Sequence, residues 1–217
     1  MKLEVRGLSK TIKGATVLDG IDLTLEGGRV YGLRGKNGSG KTMLMRAMAG
    51  LIRPTEGEVV IDGCTLKQGE FPPRVGIMIE NPAFVGKYTG FRNLKYLAGI
   101  RNEIGDDRIE RVLAEVGLDP HDRRTFKKYS LGMKQRLGIA CAVMEDPDLL
   151  LLDEPINALD PAGVEMVQRL VVRHKERGTL VVVACHDAQE LDGLSDEIFL
   201  MAEGRVVGHE DGGGDAA

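Results

Sequence analysis

The 217 residues contain no long apolar run. Apolar stretches such as Leu149–Leu152 and Leu180–Cys185 fall far short of the ~18 residues that span a bilayer, so no direct membrane insertion is expected. Met1–Lys10 alternates polar and apolar residues and lacks the apolar centre of a secretory signal peptide. Cysteine is scarce: Cys64, Cys141 and Cys185 are odd in number, widely spaced and set in apolar runs. Such spacing offers neither a disulfide framework nor a zinc-ligand pattern, and predicts reduced, buried thiols in a cytosolic protein. A basic stripe is also lacking, since 29 Lys and Arg face 33 Asp and Glu for a net charge of −4. Nucleic acid is therefore not an expected partner. Disorder is excluded in turn, because 42% of residues are hydrophobic and the charges nearly cancel. The length suits one domain, with at most a subdomain, able to bury roughly 70% of its unfolded surface.

What the chain does have is an alternation of apolar β-rich runs with helical patterns, which predicts a largely parallel sheet covered by helices. Val30–Leu33 reads as a short strand entering a glycine-rich turn, followed by a helix over Thr42–Ala49 that Arg53-Pro54 ends. Glu58–Ile61 and Val75–Ile79 read as strands, and residues 84–128 as a polar, helical subdomain. Leu131–Met144 is a predicted helix, Leu149–Leu152 a buried strand, Pro161–Glu176 a helix and Leu180–Ala184 another buried strand. Glu197–Met201 and Arg205–Gly208 are expected to form an edge hairpin, and the acidic, glycine-rich tail Glu210–Ala217 to fray. No repeat and no interdomain linker is visible. Functional loops in such an α/β core follow the C-terminal ends of strands.

The segment Gly35-Lys36-Asn37-Gly38-Ser39-Gly40-Lys41-Thr42 fits G-x-x-x-x-G-K-[ST] between a strand and a helix. Its glycines let backbone N–H groups converge on phosphate oxygens, and the helix N-terminus adds a favourable partial charge. Lys41 would reach the phosphates and the Thr42 hydroxyl would bind Mg²⁺. Leu149–Leu152 runs into Asp153-Glu154, which places two carboxylates at the C-terminal edge of a buried strand. Alternation turns them in different directions, so that Asp153 can hold Mg²⁺ while Glu154 orients or deprotonates an attacking water. Ser130 is a good N-cap for the helix that follows, or else a grip on a γ-phosphate. Asp160 with Pro161 reads as a helix start. His186, directly after Leu180–Cys185, stands open between a structural and a ligand role.

Taken together, the phosphate loop, the helical insert, Tyr129-Ser130-Leu131-Gly132-Met133-Lys134, Asp153-Glu154, Ala158-Leu159-Asp160 and His186 resemble the ATP-binding subunit of an ABC transporter. The resemblance covers nearly the whole chain. It implies a P-loop NTPase core with an N-terminal antiparallel β region and a helical subdomain over about 84–145, all within one domain of residues 1–217. It also implies a head-to-tail homodimer with two Mg²⁺–ATP between the subunits. In that arrangement Gly35–Thr42, Asp153, Glu154, His186 and Asp160 belong to the site, and Ser130 and Gly132 cover the γ-phosphate from the partner. Transport would then need a separate membrane-spanning permease, which would keep this subunit peripheral on the cytoplasmic face. The resemblance places a docking groove for it around Asn81–Tyr88.

The chain departs from the family pattern at three positions. Glu80, in Ile79-Glu80-Asn81-Pro82, stands where most members carry glutamine; its carboxylate could bind Mg²⁺ or simply open a turn. Leu131 replaces a signature glycine. Ile12 falls near the position where many members stack an aromatic on adenine, and lost stacking of about 1 kcal/mol would relax the preference for ATP over GTP. The Ile-Glu-Asn-Pro and Tyr-Ser-Leu-Gly-Met-Lys-Gln-Arg stretches resemble bacterial exporters of bacitracin, lantibiotics and related compounds. Alternatives are a soluble ABC ATPase acting on ribosomes or DNA, although no second ATPase domain or coiled-coil insert is present, and a nucleotide-dependent switch with little hydrolysis. The cluster Arg123, Arg124, Lys127, Lys128, Lys134 and Arg136 is expected to be a solvated face, and Met43, Met45 and Met48 core filler.

Overall fold

Two strands made entirely of buried residues organise the molecule. β7 (Leu149–Asp153) and β8 (Leu180–Cys185) pair in parallel, with Leu149 opposite Leu180 and Asp153 opposite Ala184. Flanking them are β6 (Val75–Met78), β3 (Val30–Arg34), β9 (Glu197–Ala202) and β10 (Arg205–Asp211), in the order β10-β9-β3-β8-β7-β6. All pairings in this sheet are parallel except the β9–β10 hairpin. The computed structural model describes residues 1–67, 69–80, 83–186, 191 and 193–213.

Strand alternation divides this sheet between two cores. Leu149, Leu151, Leu180 and Val182 face a core shared with Leu44, Met45 and Met48 of α1 (Lys41–Met48) and with the first β-sheet. Leu150, Leu152, Val181 and Val183 face the other core, built with α4 (Leu131–Val143) and α5 (Pro161–Glu176). Full burial of each such leucine is worth about 1.5–3 kcal/mol, which holds the strand ends in fixed positions.

The first sheet is antiparallel and contains β1 (Lys2–Ile12), β2 (Ala15–Glu26), β4 (Glu56–Ile61) and β5 (Cys64–Thr65), ordered β2-β1-β4-β5. The alternation read in Met1–Lys10 is β1, whose partner β2 the sequence pattern did not single out. The helical arm contains α2 (Gly90–Arg101) and α3 (Asp106–Glu115). Its return to the core is fixed by Phe126 and by the Tyr129 hydroxyl, which accepts from Gly90 N at 3.2 Å.

Several local expectations need correction. α1 stops at Met48 because Gly50 turns the chain with φ +74°, ahead of Arg53-Pro54. Glu210 and Asp211 do not fray: both pair in β10, and Arg34 reaches Glu210 at 2.5 Å; residues 214–217 lie outside the described residues. Cys64 is exposed in the short β4–β5 hairpin. Cys185 is buried, and burial pushes the thiol of the half-buried Cys141 up to about 11.

Candidate functional site

The C-terminal ends of β3 and β7 meet at a cavity of about 780 Å³. β3 leads into the phosphate loop, whose bend depends on glycine at two points. A Cβ on Gly35 would stand 2.3 Å from Met201 O and 2.5 Å from Ser39 Oγ, and Gly40 adopts φ +106° to start α1. Lys41 is buried, and its Nζ donates to Gly35 O at 2.6 Å and Lys36 O at 3.4 Å. The ammonium is thus held inside the loop it would use to grip phosphate. Ser39 Oγ is buried with no hydrogen-bond partner among the described residues. An orphaned hydroxyl, a buried ammonium and a helix N-terminus in one loop make an anion site.

At the end of β7, Asp153 and Glu154 point to different neighbours, as alternation predicts. Thr42 Oγ1 donates to Asp153 Oδ2 at 2.7 Å. Burial pushes the Asp153 carboxyl above its ordinary range, and the Thr42 hydrogen bond pulls it partly back. Glu154 takes the left-handed backbone conformation, φ +49°, a strained choice for a non-glycine residue. Two bonds over-determine it: Glu154 N donates to Ala184 O at 2.8 Å, and Gln135 Nε2 donates to Glu154 O at 2.8 Å. Its Oε2 lies 2.9 Å from His186 Nδ1, and accepts from Asn157 Nδ2 at 3.3 Å and Cys185 Sγ at 3.6 Å. Because the carboxylate can only accept, His186 donates from Nδ1.

The other residues singled out from the sequence divide. Asn37, Gly38, Ser39, Gly40, Lys41, Thr42, Asp153, Glu154 and Glu80 line the cavity. Glu80 pairs with Arg46 Nη2 at 2.7 Å, so its charge is matched from α1. Ile12 is exposed at the tip of the β1–β2 hairpin, away from the lining, where Thr16 and Val17 stand instead. Ser130 caps α4, its Oγ accepting from Met133 N at 3.2 Å, and a Cβ on Gly132 would meet Ala158 O at 3.0 Å. Asp160 caps α5 through Gly163 N at 3.0 Å. None of Ser130, Gly132 and Asp160 lines the cavity. In the post-Glu80 stretch, Asn81 and Pro82 fall outside the described residues.

Two expectations about side-chain groups change. Arg136 is not a solvated cation: Nη1 donates to Val116 O at 2.7 Å and Nη2 to Asp160 Oδ1 at 2.8 Å, tying the arm to the start of α5. Met45 and Met48 are buried core residues, whereas Met43 is partly buried and lines the cavity. Sequence reasoning gave no role to Gln135, Asn157, Arg46 or the Glu203-Gly204 turn. Gln135 and Asn157 sit inside stretches that drew attention for other residues. Nothing in the sequence signals that Gly204 N reaches Ser39 O at 3.0 Å from the β9–β10 turn.

Comparison with known proteins agrees with this geometry. The family model described as ABC transporter matches residues 18–157. An uncharacterized ABC transporter ATP-binding protein of Bacillus subtilis is 46% identical over 205 residues, covering 94% of both chains. The bacitracin transport ATP-binding protein of Enterococcus faecalis is 40% identical over 208 residues, covering 94% of this chain and 68% of that one. A solved ATP binding subunit of an ABC transporter superposes with a TM-score of 0.87 at 26% identity, over 97% of this chain and 90% of that one.

Proposed function

The chain belongs to the ABC transporter family of ATP-binding proteins, and from that premise we propose that two copies bind and hydrolyse Mg²⁺–ATP head to tail. We take residues 1–217 as one ATPase unit, with residues 84–145 as its helical arm. The observation that carries the reading is the division of the site. Lys41, Thr42, Asp153 and Glu154 line the cavity at one sheet edge and His186 bonds Glu154 from outside the lining, while Ser130, which caps its own helix, and Gly132 lie off the cavity. A second copy would bring its own Ser130 and Gly132 to close the γ-phosphate.

Thr42 Oγ1 and Asp153 Oδ2 are hard oxygen donors 2.7 Å apart at the cavity wall, which suits Mg²⁺. They would hold the ion, with Glu80 at the rim, and the ion would neutralise phosphate charge. Lys41 would exchange its bonds to Gly35 O and Lys36 O for phosphate oxygens. Glu154 is the general base: its carboxylate takes a proton from water as the water oxygen bonds to the γ-phosphorus and the bond to the ADP oxygen breaks. His186, held by the same carboxylate, orients that base and contacts the γ-phosphate. Asp160, tied to Arg136, positions the start of α5 beside it.

The work of hydrolysis would drive export through a separate membrane-spanning permease, docked near the stretch 81–88, which keeps this subunit at the cytoplasmic face. The 40% identity to a bacitracin transport protein supports export of a peptide-like compound. No described helix is long and apolar enough to cross a membrane. Phosphate release measured across protein concentrations tests the paired site: specific activity should rise with concentration and vanish in Glu154→Gln. Activity independent of concentration would contradict pairing. Co-purification of a stoichiometric polytopic protein from solubilised membranes tests the transport role, and recovery with ribosomes or alone would overturn it.

A further inference from the structure

The fold brings together three metal-ligating side chains that no motif spacing in the sequence foretells. Glu154 Oε2 lies 3.6 Å from Cys185 Sγ and 2.9 Å from His186 Nδ1, and the candidate ligand atoms of the three residues all fall within 4.8 Å of one another. Tetrahedral zinc, with bonds of about 2.0–2.3 Å, sets its ligand atoms roughly 3.2–3.8 Å apart. Small side-chain adjustments therefore suffice to seat an ion. The set of one thiol, one imidazole and one carboxylate suits a borderline-soft cation and is a poor match for Mg²⁺, for which Thr42 and Asp153, bonded to each other at 2.7 Å, supply hard oxygen donors.

We propose that Glu154, Cys185 and His186 form a zinc-binding site that silences the ATPase by occupying its general base. Cys185 supplies the thiolate from the buried end of β8, and the exposed His186 lies at the solvent side of the cluster. Binding releases the Cys185 thiol proton to solvent and shifts the His186 proton from Nδ1, where it bonds Glu154, to Nε2, so that Sγ and Nδ1 both coordinate. Among the described residues no fourth ligand joins the three. Asn157 Nδ2, which donates to Glu154 Oε2 at 3.3 Å, and Gln135, which clamps the Glu154 carbonyl, hold the carboxylate ligand in place. With Zn²⁺ bound, the Glu154 carboxylate cannot take a proton from water. The inhibitory consequence rests on the proposed role of Glu154, whereas the site itself rests on the geometry alone.

The test uses the nucleotide-free full chain, stripped of metal and titrated with Co²⁺ and then Zn²⁺ alone. Wild type should develop a thiolate-to-cobalt charge-transfer band and the visible bands of a tetrahedral ion, saturating at one ion per chain and bleached by Zn²⁺. Cys185→Ala should lose the charge-transfer band and bind Zn²⁺ at least about tenfold more weakly. His186→Ala, on an exposed side chain, should weaken Zn²⁺ by a similar factor while keeping the band at high Co²⁺, and it decides the matter if Cys185→Ala does not fold. No charge-transfer band in wild type, or unchanged Zn²⁺ affinity in His186→Ala, overturns the site. Because the readout is metal binding without nucleotide, its failure is separate from failure of the ATPase reading, which phosphate release measures.

Discussion

The two ends of the candidate site are built differently. On the sheet edge, the side chains already meet their neighbours apart from the orphaned Ser39 hydroxyl: Lys41 is bonded within the phosphate loop, Thr42 bonds Asp153, and Glu154 bonds His186. At the head of α4, Ser130 does no more than cap its own helix, and it lies off the cavity. Deep burial of β7 and β8 fixes the first set, because a shift of either strand would expose leucines and valines from both cores. The second set sits at the rim of an arm joined to the core by Tyr129, Phe126 and the Arg136 tie. Preassembly on one side and none on the other is what a site shared between two chains requires.

Substitutions at the two ends should separate these halves. Glu154→Gln removes the base from the preassembled half, and turnover in a phosphate-release assay should fall about 10²–10⁴-fold. Ser130→Asp attacks the other half. Aspartate still caps α4, so stability and the nucleotide affinity of a single chain should stay near wild type. Turnover should drop at least about tenfold, because the new carboxylate would face the γ-phosphate bound by the second copy. Equal loss of single-chain nucleotide binding would erase the distinction between the halves.

Acid should weaken the body that carries the preassembled half. His174, in the last turn of α5, is buried, and burial together with Arg177 lowers its pKa to about 4. Above the ordinary histidine value of about 6.5 both folded and unfolded forms are neutral. As pH falls from there, the unfolded chain gains a proton that the folded chain refuses until about pH 4, so stability is lost across that window. The loss amounts to at most about 3 kcal/mol, and urea titrations of wild type and His174→Gln should show it removed in the variant. A smaller effect is expected at the rim. Glu80→Gln breaks the pair with Arg46, worth about 0.2–1 kcal/mol at this exposure. It should leave ATP affinity within about threefold while shifting the Mg²⁺ concentration for half-maximal turnover; an unmoved Mg²⁺ optimum would remove Glu80 from the metal's surroundings.

The legibility of the sequence followed the same division. β3, β7, β8 and the helices after them were visible because buried parallel strands are continuous apolar runs and their ends carry dense motifs. Asp153 and Glu154 have different neighbours, as alternation predicts, but Glu154 lies past the end of β7 in a left-handed turn that alternation does not describe. β2 was missed because its burial pattern alternates with interruptions at register shifts against β1. Arg136 was misread as solvated because its partners, Val116 O and Asp160, are brought to it only by packing of the arm. Cys64 sits in a two-residue edge strand too short for its burial to be read from pattern. The Glu154–Cys185–His186 cluster was invisible for the same reason as the Arg136 tie: Glu154 lies about thirty residues from Cys185 and His186 and meets them only across paired strands.

The central claim is that one chain holds half of each site. Light scattering of Glu154→Gln, with and without millimolar Mg²⁺–ATP, tests it most directly. The mass should double on adding Mg²⁺–ATP, since nucleotide is bound but not consumed, and Ser130→Asp in the same background should abolish the doubling. A Glu154→Gln chain that binds ATP yet keeps the mass of a monomer would contradict the account.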